Sequence, residues 1–174
     1  SYLNNLELTN YNAIDNEFYI SNEQKIGGLL TLQYGFRYSI FQQMGEGKVR
    51  EYFDPENPVS DEVIGETSYS SSERIGKPYL NFQPRLAAKY TLGTTSSIKA
   101  SYNRMVQNLH LITNTNSPTP IDIWLPSTEY IKPLIVDQVA LGYFRNFRND
   151  EIETSVEVYY KDMQNVLDYK DGAE

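Results

Sequence analysis

Hydrophobic and polar residues alternate along several long segments of the chain. From Leu80 to Leu92, apolar side chains occupy nearly every second position, and polar ones such as Arg85 and Lys89 stand between them. Side chains of a β-strand point alternately to the two faces of a sheet. The segment therefore predicts a strand with one apolar face. Because the turn-forming run Gly93–Ser97 and a second alternating segment follow it, we expect an antiparallel hairpin.

The same alternation recurs and predicts six strands joined as an up-and-down meander. They lie near residues 16–26, 29–44, 80–92, 96–108, 135–147 and 151–164. The connections are, in order, the turn Gly27–Gly28, a long irregular loop 45–79, the turn Gly93–Ser97, a second long loop 109–134, and the turn Arg148–Asp150. Alternate connections of a meander emerge at the same rim. We therefore expect all short turns at one rim and both long loops at the other.

These features predict an all-β fold, with about six strands of a larger transmembrane β-barrel. At roughly 3.3 Å per residue, the predicted strand 29–44 would be about 50 Å long, which few soluble domains need. Outer-membrane barrels combine short turns at one rim, long loops at the other, and strands that are apolar on one side and polar on the other. The alternative is a soluble β-sandwich, for example a carbohydrate-recognising module, whose apolar faces pack against each other. The accessibility of those faces distinguishes the two.

Composition and charge narrow the function classes. The 174 residues contain no apolar run of about 18 residues, which argues against a transmembrane helix. A net charge of -8 argues against nucleic acid as a partner, because a polyphosphate would be repelled. The sequence has no cysteine, so disulfides, thiolate metal sites and cysteine nucleophiles are excluded. Fifteen Tyr and seven Phe suit strands whose side chains lie between apolar and wet surroundings.

Catalytic, metal and cofactor sites are not expected. The only histidine, His110, has no second histidine or cysteine to form a transition-metal site and is expected to be a loop residue. Glu153 and Glu157 share one face of a strand, but Lys161 continues that row and favours ion pairing over catalysis. The first long loop carries acidic residues that could bind Ca²⁺ but lack the spacing of a known calcium loop, so a solvated acidic loop is the simpler interpretation. They are Glu51, Asp54, Glu56, Asp61 and Glu62.

The long loops carry the best candidates for contact with a ligand. Trp124 and Tyr130 lie in a proline-rich stretch, where an exposed aromatic ring offers rigid stacking area at low entropic cost. Arg50, Tyr52 and His110 complete the candidate set. The alternative is that Trp124 and its apolar neighbours only pack the loop onto itself or onto a neighbouring loop.

Five segments, taken together, resemble the barrel of TonB-dependent outer-membrane receptors, particularly those of Bacteroidetes-type bacteria. They are SNEQKIGGLLTLQYGFRYSIF, SIKASYNRMVQNLHL, SPTPIDIW, IKPLIVDQVALGYFRNF and VEVYYKDMQN. Each segment alone is weakly specific, and the ordered set is more so. The resemblance spans about residues 16–174.

The resemblance implies a non-enzymatic function in the outer membrane of a Gram-negative bacterium. Such receptors take up a scarce nutrient, such as an iron chelate, through extracellular loops and a plug domain that receives energy through TonB. The chain would supply about six strands of a 22-stranded barrel in contact with outer-membrane lipid, and we expect the plug domain to be absent from it. The extracellular loops of the family diverge, so the resemblance implies neither the ligand nor its binding residues.

Overall fold

The structure is a computed structural model that describes residues 12–54, 63–113, 122–148 and 151–167. Its strands are β1 Asn12–Ile26, β2 Leu30–Met44, β3 Gly47–Tyr52, β4 Val63–Tyr69, β5 Arg74–Thr91, β6 Ser96–Gln107, β7 Leu109–Thr113, β8 Asp122–Pro126, β9 Leu134–Phe147 and β10 Ile152–Gln164. No helix in these ranges is long and apolar enough to cross a membrane.

Six strands form one antiparallel sheet in the order β1-β2-β5-β6-β9-β10. Each long strand pairs with the next long strand along the chain, so the predicted all-β, six-stranded meander is confirmed. Two small antiparallel hairpins, β3–β4 and β7–β8, are inserted into the β2–β5 and β6–β9 connections. Both hairpins therefore lie at the same rim of the sheet, opposite the short turns.

The prediction that 45–79 and 109–134 are irregular loops is wrong in part, because several of their described residues form strands. The first contains β3, β4 and the beginning of β5, and the second contains β7 and β8. His110 lies within β7 and Trp124 within β8, so neither is a loop residue. β3, β4, β7 and β8 have only five to seven residues each. Strands this short do not show a clear alternation of polar and apolar residues next to neighbouring Gly, Pro and Ser.

Two of the long strands, β1 and β5, start well before their predicted first residues. β1 begins at Asn12, and β5 begins at Arg74 instead of near residue 80. A bulge interrupts the regular alternation at the start of β5: Phe41 pairs with Tyr79, while Gln43 pairs with Ile75. Gly76 within the bulge has a φ of +64°, which favours glycine, and Pro78 has no N–H to give to the ladder.

The first short turn differs in length from the prediction. Gly27 and Gly28 have φ values of +58° and +73°, as expected for a glycine pair in a tight turn. Ile26 pairs with Leu30, so the turn has three residues and includes Leu29. Asn149 and Asp150, predicted to form the last turn, lie outside the described residues.

The register gathers the apolar side chains of all six long strands on one face of the sheet, here called the apolar face. Ile20 pairs with Phe36, and Val158 with Leu141, so alternate positions align from strand to strand. The apolar face comprises Phe18, Ile20, Ile26, Leu30, Leu32, Tyr34, Phe36, Tyr38, Ile40, Leu80, Phe82, Pro84, Leu86, Ala88, Tyr90, Ile98, Ala100, Tyr102, Val139, Leu141, Tyr143, Val156, Val158 and Tyr160. The opposite side is called the polar face.

The apolar face is open. Phe36, Leu86 and Val158 are exposed, and Val156 is 64% exposed. Among the residues that the structure describes, only three hydrophobic side chains are buried: Phe41, Ile75 and Val136. No second sheet in the described ranges covers the apolar face, as the core of a sandwich would require.

Candidate functional site

The middle of the polar face is a broad, shallow concavity. Its floor is made by small side chains on successive strands, including Ala87, Ser101 and Ala140. One part of it has a volume of about 440 Å³, and a second part, beside Arg37 and Arg85, has about 660 Å³. Small residues on adjacent strands leave room above the sheet, so this face can accommodate a solute.

Towards the rim that carries the hairpins, polar side chains connect β1, β2 and β5 with Asn108, which lies between β6 and β7. The Asn81 amide donates to the Ser39 hydroxyl and to the Asn108 side-chain oxygen, each at 3.2 Å. The Asn108 amide in turn donates to a carboxylate oxygen of Asp15 at 3.3 Å. Ser39 and Asn108 are almost fully buried, although they lie at the end of an open sheet. Something therefore covers this end of the polar face.

Part of the cover is the connection between β8 and β9. Residues Ser127–Ile131, here called the rim segment, follow β8 directly. The backbone N–H of Ser127 donates to the Asn108 carbonyl at 2.7 Å, and the Tyr79 hydroxyl donates to the Thr128 carbonyl at 2.7 Å. Because Tyr79 and Asn81 are two positions apart on β5, they lie on the same face, and the rim segment is bonded to the polar face.

The rim segment is held in shape by its own hydrogen bonds and by His110. The Thr128 side-chain oxygen accepts from the N–H groups of Tyr130 and Ile131, at 3.3 and 3.1 Å. The His110 Nε2 atom lies 3.1 Å from the Ser127 hydroxyl. His110 is only 5% exposed, and burial lowers the pKa of its imidazole below the usual value. The neutral ring is thus favoured at this contact.

The rim segment also contacts the β3–β4 hairpin. The Tyr130 hydroxyl donates to the Arg50 carbonyl at 2.7 Å, and the rings of Tyr130 and Tyr52 meet edge to face at 5.3 Å. Burial, followed by the nearby Glu129 carboxylate, raises the pKa of the Tyr130 phenol, so it stays a proton donor at neutral pH. The two long connections are therefore joined into one surface.

The structure brings three of the five predicted contact residues together. Arg50, Tyr52 and Tyr130 meet where the hairpin touches the rim segment, and the Arg50 side chain is also 3.5 Å from the Glu66 carboxylate. Within the described part of the chain, Trp124 and His110 make no hydrogen bond or ring contact with these three residues. Contact between any of the five and a ligand stays a prediction.

Trp124 and His110 lie on opposite faces of the β7–β8 hairpin. Trp124 pairs with Leu111, while His110 pairs with Leu125. Trp124 is 56% exposed, and Leu109 and Leu111, on the same face, are exposed as well. The hairpin therefore presents an apolar surface outward, while its buried histidine holds the rim segment.

The described residues form no calcium site. Glu56, Asp61 and Glu62, three of the predicted acidic candidates, lie outside the described ranges. Among the described side chains, no group of three or more His, Asp or Glu residues is placed to hold a metal ion.

Sequence reasoning did not identify the residues that position the rim segment. Tyr79, Asn108 and Ser127 looked like ordinary members of loops or strand ends. The sequence contains no signal for them, because polar residues are also expected at the solvated ends of strands.

One comparison with known proteins gives a match. The family model described as outer membrane beta barrel domain matches residues 1–161. No curated protein and no solved structure matches the chain.

Proposed function

The chain belongs to the outer membrane beta barrel domain family, and from this we propose that it forms part of a receptor that takes up a nutrient by TonB-coupled active transport. The family places the protein in the outer membrane. A receptor of this kind needs a lipid-facing wall, a polar interior and a binding surface at the extracellular rim. Each requirement has a counterpart in the structure.

The apolar face is suited to contact with membrane lipid. Its side chains are aligned across six strands and exposed, and a bilayer supplies the apolar surroundings that water would not. Tyr102 is at the hairpin-side end of the apolar stretch of β6, where its hydroxyl donates to Asp137 at 2.8 Å. Tyrosines with one polar partner are typical of the membrane interface. A soluble sandwich would cover the same face with a second sheet.

The observation that carries the proposal is the joined rim. Long connections at one rim of a barrel are exposed to the medium, and here Tyr130, Tyr52 and Arg50 lock them together above the concave polar face. A preorganised aromatic surface binds a ligand with a smaller entropic cost than separate mobile loops. We propose that a nutrient such as an iron chelate binds there, with Trp124 as a further contact.

The proposed activity is recognition and transport without bond making. In this proposal TonB acts on a plug domain of the receptor, and the strands described here form the wall around it. The wall residues then contact lipid on one side and the plug or the solute on the other. No cofactor is required for these steps.

Growth and uptake assays test the proposal. A strain lacking the gene and its parent strain are grown with iron chelates, vitamins or glycans as the limiting nutrient. Uptake of the nutrient on which the deletion strain grows more slowly is then measured with a radiolabel. We expect uptake to be lost without the receptor and also when TonB is deleted. Uptake that persists at the same rate without TonB would overturn the energy coupling.

Rim variants test the binding surface in the same assay. We expect Tyr52→Ala and Trp124→Ala to lower uptake when the nutrient is limiting, because they weaken binding. At a high nutrient concentration uptake should return to the wild-type rate, because the barrel is intact. Ile64→Ala is the matched control, since Ile64 is an exposed apolar residue of the neighbouring strand β4. Equal uptake by all three variants would exclude this rim as the binding surface.

A further inference from the structure

Two lysines stand side by side on the polar face. Lys89 of β5 pairs directly with Lys99 of β6, so their Cβ atoms are about 4.5 to 5.5 Å apart. The ion pairs of the described chain include Arg37–Glu17, Lys48–Glu66, Arg50–Glu66 and Arg104–Asp137. Neither Lys89 nor Lys99 takes part in them. Like charges directly opposite each other destabilise a strand pair, and an anion between them would remove this cost.

The surroundings of the pair leave space for such an anion. Both lysines line the concavity of about 440 Å³, which lies within the usual size range of small-molecule sites. The Lys99 ammonium group is 4.7 Å from the centre of the Phe144 ring, and this ring covers Gly142 on the neighbouring strand. Phe144 thus forms one wall, while Ser101 contributes a hydroxyl to the floor.

Two carboxylates also border the concavity, and the side chain of one of them, Glu157, lies over Gly142, the residue that separates it from Lys99 in the cross-strand row. Glu23 is on β1, with β2 between it and Lys89, and Glu157 is on β10, with β9 between it and Lys99. Neighbouring strands are about 4.8 Å apart, so each carboxylate strand is roughly 10 Å from the lysine strand. Neither these carboxylates nor Glu153, which borders an adjoining hollow with both lysines, forms a salt bridge with Lys89 or Lys99 in the described part of the chain.

We propose that Lys89 and Lys99 bind the anionic group, a carboxylate or a phosphate, of a small solute on the polar face. The inference rests on the proposed transport function and adds a chemical class to it: the transported nutrient carries at least one such group. The two ammonium groups contact the anion from adjacent strands, and the Ser101 hydroxyl donates a further hydrogen bond. A neutral solute would leave the lysine repulsion unrelieved.

Lysine acylation tests the site without a transport assay. The purified protein is reconstituted in dimyristoylphosphatidylcholine vesicles and acetylated in inorganic phosphate, in citrate, or in chloride of matched ionic strength, and each lysine is quantified by mass spectrometry. With the site about four-fifths occupied, either anion should slow acetylation of Lys89 and Lys99 about fivefold relative to chloride. Lys77, an exposed residue of β5, should react equally in all three.

Two variants make the test specific. Lys99→Met should abolish protection of Lys89, whereas Lys77→Met should leave it unchanged. Equal acetylation of Lys89 in phosphate, citrate and chloride would overturn the site. Protection of Lys77 to the same degree would also overturn it, because general screening then explains the effect.

The outcomes separate this inference from the proposed function. A protein that shows TonB-dependent uptake but no protection keeps the transport function and loses the lysine site. A protein that shows protection while uptake needs no TonB keeps the site and loses the coupling.

Discussion

The hydroxyl of Tyr130 lies 2.7 Å from the main-chain carbonyl oxygen of Arg50, although 80 residues separate the two along the chain. The hydrogen bond joins the connection after β8 to the hairpin inserted after β2. The Tyr52 ring packs edge to face against Tyr130 at the same place. Two excursions of the chain thereby become one surface at the rim.

Removing this hydroxyl should loosen the β3–β4 hairpin. Tyr130→Phe keeps the ring against Tyr52 but leaves the Arg50 carbonyl without its donor, at a cost of about 1 kcal/mol. Hydrogen exchange of β3 and β4 should accelerate about fivefold. Tyr159→Phe is the control, since Tyr159 is 73% exposed on β10. Unchanged exchange in Tyr130→Phe would show that the hydrogen bond does not hold the hairpin.

Gly35 permits a close approach of β1 and β2. A Cβ atom at this position would lie 2.4 Å from the main-chain oxygen of Ile20, which is too close for any side chain. We expect Gly35→Ala to destabilise the sheet by about 1 to 3 kcal/mol, because the backbone of β1 must move. Gly47→Ala is the control, because a Cβ at Gly47 meets nothing within 4 Å. Urea unfolding in lipid vesicles measures both, and equal midpoints would contradict the expectation.

The sequence predicted the six long strands and their faces because each repeats an alternating pattern over many residues. Leu86 and Val158, for example, stand on the expected face, and the order of strands follows from the alternation of short and long connections. A strand buried on neither side still shows the period of two. These properties are local, so a single sequence contains them.

The rim could not be predicted in the same way. β3 and β8 are short, and the contact of Tyr130 with Arg50 joins distant parts of the chain. The residue types of Arg50, Tyr52 and Tyr130 make them candidates for ligand contact, whereas their proximity in space depends on the tertiary fold. His110 was expected in a loop, and its burial against Ser127 follows from how the hairpin folds back.

The facing of β10 can be tested with two adjacent positions. Val156 is on the apolar face, and Ser155 is on the polar face. Val156→Lys should cost about 2 to 4 kcal/mol if the residue lies near the bilayer midplane, while Ser155→Lys should cost less than about 1 kcal/mol. Urea unfolding in dimyristoylphosphatidylcholine vesicles gives both values. A larger loss for Ser155→Lys would mean that the two faces are assigned the wrong way round.

His110 should make stability depend on pH in the mildly acidic range. Burial lowers the pKa of the folded imidazole below its value of about 6.5 in the unfolded chain. Well above pH 6.5 the ring is neutral in both states, and the contact with Ser127 contributes fully. As the pH falls below that value, the unfolded chain binds a proton first, so stability decreases until the folded ring is also protonated.

The measurement compares urea midpoints at pH 7.5 and 5.5 for the wild type and for His110→Gln. Glutamine can still hydrogen-bond to Ser127 but does not titrate, so the wild type should lose more stability on acidification than the variant. The Glu66 carboxyl at the same rim does not interfere, because its hydrogen bond and attraction to Lys48 lower its pKa and keep it ionised across this range. Equal losses in the two proteins would show that His110 does not couple protonation to folding.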